Sequence, residues 1–65
     1  MWTAIYIAQN RKMAEKVETI LMDEGMLVKV ESMSKENESK EGFFEILVPE
    51  GEANEARDIL YEIGY

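Results

Sequence analysis

The chain of 65 residues contains no cysteine and no histidine. Without cysteine there is no disulfide framework and no thiolate metal site, so packing, or packing with self-association, has to stabilise a very small fold. Without histidine the chain lacks the commonest general base at neutral pH and the usual ligand of transition metals. We therefore expect a non-catalytic protein with no cofactor, and the lack of disulfides fits a reducing cytoplasm.

Long apolar runs and basic residues are also scarce. A membrane span needs about 20 consecutive apolar residues, and the sequence has neither such a run nor the basic leader of a signal peptide. Seven basic and fourteen acidic residues give a net charge of −7, which repels phosphate backbones and attracts cations or basic partners. The composition predicts one acidic, cytoplasmic domain over residues 1–65, with no membrane partner and with nucleic acid disfavoured.

Hydrophobic periodicity, together with residues typical of the ends of helices and strands, predicts five elements. Asn10 is a good helix N-cap, Gly25 suits the residue after a helix, and Pro49 lacks the N–H that a central strand needs. The charged segment 33–41 predicts a mobile hairpin loop. The predicted elements are the strands β1 (2–8), β2 (26–32) and β3 (42–48) and the helices α1 (11–24) and α2 (51–64).

The order of these elements predicts an α+β fold. A right-handed crossover places β3 between β1 and β2, which gives a three-stranded antiparallel sheet in the order β1-β3-β2 with two helices on one face. This βαββα arrangement is ferredoxin-like without its last strand. The predicted core residues are Ile5, Ile7, Val17, Ile20, Leu21, Val28, Val30, Phe44, Ile46, Val48, Ala56, Ile59, Leu60 and Ile63.

The second face of the sheet is the candidate functional surface. Alternation with period two turns several apolar residues away from the helices, and an exposed apolar patch on a small domain usually marks a protein contact. Lys29 and Glu45 are expected to pair within it. The β1 edge also invites pairing with another chain, so the partner is either another protein or a second copy in a homodimer. The candidate surface consists of Trp2, Ala4, Tyr6, Leu27, Phe43 and Leu47.

One other function stays open on the sequence. Single-stranded RNA modules of this topology stack bases on sheet aromatics, and Tyr6 and Phe43 are predicted to occupy such positions, although the basic flank that RNA binding requires is missing.

Three segments resemble a family of short bacterial signal-transducing proteins whose module is compared with PII-type regulators. They are MWTAIYIAQN at 1–10, TILMDEGMLVKV at 19–30 and EILVPEGEANEARDIL at 45–60. The resemblance implies a ferredoxin-like regulatory module without catalytic residues. By analogy with PII-type regulators, it also makes the loop at 33–41 a candidate lid for a small ligand, which is a further alternative function. Some similar chains carry the label glutamate decarboxylase, which requires a large pyridoxal-phosphate fold that 65 residues do not provide.

Overall fold

The computed structural model describes residues 1–33 and 42–65, and the predicted α+β fold is confirmed. The sheet is antiparallel and has the order β1-β3-β2. The part of the predicted loop from 34 to 41 lies outside the described residues. The elements are β1 (Trp2–Ala8), α1 (Arg11–Asp23), β2 (Lys29–Ser32), β3 (Phe44–Pro49), a 3-10 turn (Glu50–Glu52) and α2 (Ala53–Glu62).

Local signals fix both ends of α1. The side-chain oxygen of Asn10 accepts a hydrogen bond from the Met13 N–H at 2.8 Å, which satisfies one of the free donors of the first turn. At the other end Gly25 has φ 88°, a left-handed conformation that favours glycine. The Met26 N–H then donates to the Leu21 carbonyl at 3.2 Å, and both side chains are buried. This Schellman motif uses Met26 as part of the core, so β2 begins three residues later than predicted.

The helix cap gives a first test of this local structure. Replacing Asn10 by alanine removes the acceptor of the Met13 N–H, so we expect the free energy of unfolding to fall by about 1 kcal/mol. Urea unfolding followed by circular dichroism measures the change. The neighbouring exposed residue Gln9 provides the control, because Gln9→Ala leaves the cap in place. An equal effect of the two substitutions would contradict the capping role.

The core lies between the helices and the sheet. It contains seven predicted residues, and five more predicted residues pack against its margin. Ile7 and Ile63 were predicted to be buried but are 43% and 48% exposed, so these two predictions are wrong. The buried residues are Ala8, Ala14, Val17, Leu21, Met26, Phe44, Ile46, Val48, Ala53, Ala56 and Leu60.

A β-bulge explains the error at Ile7. Ala4 lies opposite Leu47 and Tyr6 lies opposite Ile46, so Ile5 is an additional residue in β1 at the point where the register shifts. One additional residue reverses the alternation of the strand beyond it. Tyr6 therefore points to the helices, and Ile7 points to the other face of the sheet.

Candidate interaction surface on the sheet

The side of the sheet opposite the helices is called the open face. Its residues lie opposite one another in the strand register, which places them on the same side of the sheet. Most of the aromatic and aliphatic side chains on it remain accessible: Trp2 is 42% exposed and Ile7 is 43% exposed. The open face consists of Trp2, Ala4, Ile7, Lys29, Glu31, Phe43, Glu45, Leu47 and Pro49, where Phe43 is included from the alternation that it shares with Glu45 and Leu47.

Tyr6 does not belong to the open face, contrary to the sequence prediction. It lies opposite the fully buried Ile46 and packs against the core from the helix side. Its ring meets the ring of Tyr65 edge to face, with 6.0 Å between the ring centroids. The bulge at Ile5 is the physical reason for the correction, and it brings Ile7 to the open face in place of Tyr6.

The remaining predicted residues are placed as follows. Trp2, Ala4 and Leu47 lie on the open face. Phe43 immediately precedes β3 and is 52% exposed. Its carbonyl accepts a hydrogen bond from the Met33 N–H at 2.9 Å, which continues the pairing of β2 with β3. Because side chains alternate along a strand, Phe43 lies on the open face with Glu45. Leu27 is exposed, but it precedes the first paired residue of β2, so strand pairing does not fix its direction.

Lys29 spans the open face from β2 towards β1. Its ammonium group lies 5.1 Å from the centroid of the Trp2 ring and 3.5 Å from a carboxylate oxygen of Glu31. A cation over an indole ring is attracted by the negative face of the ring, and such contacts contribute about 0.5 to 1 kcal/mol at exposed sites. The ion pair within the described residues is thus with Glu31 rather than with Glu45, the expected partner.

Two carboxylates lie next to each other on this face. Glu31 of β2 is directly opposite Glu45 of β3, and like charges in that position destabilise a sheet. Lys29 offsets the repulsion by contacting Glu31. The open face therefore combines exposed apolar side chains with a local excess of negative charge, an arrangement that favours a partner carrying both apolar and basic groups.

A second feature lies on the helix side of β1. An open depression of about 190 Å³ is formed by residues of β1, residues of α2 and the last residue of the chain. Typical small-molecule pockets measure roughly 300 to 1,000 Å³, so this depression is too small and too open for most such ligands. Sequence reasoning missed it because the bulge is what brings Tyr6 to this side. Its lining residues are Ile5, Tyr6, Arg57, Leu60, Tyr61 and Tyr65.

Within residues 1–33 and 42–65 no cluster of three or more acidic residues is arranged to hold a metal ion. None of the helices in that same part of the chain has the length and apolar character needed to cross a membrane.

A scan against protein-family models, a search of curated proteins and a search of solved structures each returned no match.

Proposed function

We propose that this protein is a non-catalytic interaction module, with a regulatory role of the kind that the family resemblance implies, and that it binds its partner through the open face. The partner is a protein segment that presents apolar side chains together with arginine or lysine. The observation that carries the proposal is the exposure of Trp2, Ile7 and Phe43 beside the opposed carboxylates of Glu31 and Glu45.

The apolar residues supply the affinity in this proposal. Aromatic side chains are frequent energetic centres of protein interfaces, because they bury a large area at a small entropic cost. Trp2 is held in place before binding by Lys29, whose ammonium group lies over its ring. A side chain that is already positioned loses less conformational freedom when the partner arrives.

The charges determine which partners are selected. The chain has a net charge of −7, so basic proteins are attracted and acidic proteins are repelled at long range. On the open face, Glu45 lies opposite Glu31 and is not the carboxylate that contacts Lys29. A partner's arginine or lysine next to Glu45 would relieve the repulsion between the two carboxylates.

The test begins with a photo-crosslinking amino acid at position 43, and at position 22 as a control on α1. A partner that is crosslinked from position 43 alone is purified and its affinity is measured. We expect Phe43→Ser to weaken binding by more than about 10-fold and Met22→Ser to leave it unchanged. Glu45→Gln should reduce the association rate and its dependence on salt. Equal binding by the Phe43→Ser variant and the original protein would refute the proposal.

The two other functions have no specific observation in their favour. The proposed ligand lid at 33–41 falls mostly outside the described residues. For single-stranded RNA, the open face lacks Tyr6, one of the two aromatics that stacking was expected to use, and carries two carboxylates with Lys29 as its cation.

A further inference from the structure

The two edges of the sheet differ in their chemistry. The edge strand β2 has four residues, of which Lys29 and Glu31 are charged. The edge strand β1 has seven residues, WTAIYIA, and none of them is charged. Charged side chains on a short edge strand discourage pairing with other chains, whereas a long uncharged edge permits it. β1 is therefore the edge that is suited to receive another strand.

The depression lies beside this uncharged edge. Its lining comes from Ile5 and Tyr6 of β1, from one flank of α2, and from Tyr65. No residue of β3 lines it, which places it over β1 on the side away from β3. Tyr61, on the α2 flank, is 84% exposed. Side chains of an additional strand, paired along β1, would enter this space and cover Tyr61.

We infer that the additional strand comes from a second copy of this chain. The β1 strands of two copies pair antiparallel about a two-fold axis, and the two sheets join into one of six strands. In such a symmetric contact the same strand of each copy forms the interface, so the free backbone N–H and C=O groups of both β1 edges form hydrogen bonds with each other. Each copy also covers the depression of the other with its own β1.

A second copy meets the least electrostatic repulsion at this edge. Two molecules with a net charge of −7 repel each other, and the repulsion is smallest where the contacting segments are neutral. β1 is the uncharged strand of the described sheet, and Arg57 is the charged residue that lines the depression. The same pairing places the two open faces side by side, so it extends the surface of the proposed function without using it.

The bulge sets the strength of the contact. The additional residue at Ile5 interrupts the regular ladder of β1, and bulges twist an edge strand and shorten the stretch that can pair. We therefore expect a reversible dimer rather than an obligate one. A chain of this size buries only about 60% of the surface that it exposes when unfolded, so dimer formation also adds to its stability.

The experiment measures mass by light scattering from low micromolar to about 1 mM protein, where a reversible dimer appears by mass action. Amide hydrogen exchange is followed over the same range. In an edge strand every second N–H points away from the sheet, so we expect alternate amides of β1 to become protected as the dimer forms. A chain that stays monomeric up to the highest concentration would overturn the inference.

Two matched variants separate this contact from the open face. Tyr61 and Met22 are each the penultimate residue of a helix, and both are exposed. Tyr61→Glu and Met22→Glu therefore make the same change of charge in the same helical position. We expect Tyr61→Glu to raise the dimer dissociation constant more than about 10-fold and Met22→Glu to have little effect.

Phe43→Ser distinguishes the two proposals, because it alters the open face and leaves the β1 edge intact. We expect it to form dimers as the original protein does. A dimer that Phe43→Ser disrupts, and that leaves the alternate amides of β1 unprotected, would overturn the edge pairing while supporting contact through the open face. Loss of partner binding by Phe43→Ser with unchanged dimers supports both proposals.

Discussion

Replacing Ile46 by alanine is expected to remove most of the stability of this protein. Ile46 is fully buried in the central strand, between Tyr6 of β1 and Val30 of β2. Truncation of a buried isoleucine typically costs about 2 to 5 kcal/mol, because contacts are lost and a cavity remains. Folded proteins of ordinary stability unfold with only about 5 to 15 kcal/mol, and small domains lie at the low end. We therefore expect a large fraction of the Ile46→Ala molecules to be unfolded at room temperature.

The effect of Ile46→Ala is measured by urea unfolding with circular dichroism. Met22→Ala is the control, because Met22 is 54% exposed on α1 and surface substitutions usually change stability by about 0.5 kcal/mol or less. If Ile46→Ala lowered the free energy of unfolding by less than about 1 kcal/mol, the burial of Ile46 in the described core would contribute little to stability.

The second large effect concerns the pair Tyr6 and Ile7. Tyr6 packs against the core and against Tyr65, so Tyr6→Ala is expected to lower the free energy of unfolding by about 3 kcal/mol. Ile7 faces the other way and is partly exposed, so Ile7→Ala should lower it by about 1 kcal/mol or less.

These two adjacent substitutions test the bulge directly, since regular alternation from Trp2 predicts the opposite ranking. Both variants are compared with the original protein by thermal and urea unfolding under the same conditions. If Ile7→Ala were the more destabilising of the two, β1 would be regular and Tyr6 would return to the open face. The candidate surface would then have to be redrawn.

The sequence predicted the fold because the relevant signals are local. Asn10, Gly25 and Pro49 each act within a few residues of their own position: a side-chain cap, a left-handed turn and a missing N–H. The alternation of Phe44, Ile46 and Val48 in the central strand is regular, and all three residues are buried as predicted. The strand order then followed from the handedness of the crossover.

The errors arose where one element depends on another. A bulge is defined by the pairing of two strands, here β1 with β3. The sequence of residues 2–8 alone therefore does not show where the alternation reverses. Met26 was missed as a core residue; it is buried at the Schellman turn, where its N–H donates to the Leu21 carbonyl, and it precedes β2. Ile63 continues the helical spacing, but α2 ends at Glu62, so its side chain is exposed.

The additional residue in β1 has a consequence for tracing the ancestry of this chain. Without Ile5, the strand would alternate regularly, and Trp2, Thr3, Tyr6 and Ile7 would keep the sides of the sheet that they occupy now. A related protein can therefore be one residue shorter inside this strand and still have the same two surfaces. An alignment that forbids gaps within strands would shift half of β1 by one residue, and the relationship between the two proteins would be missed.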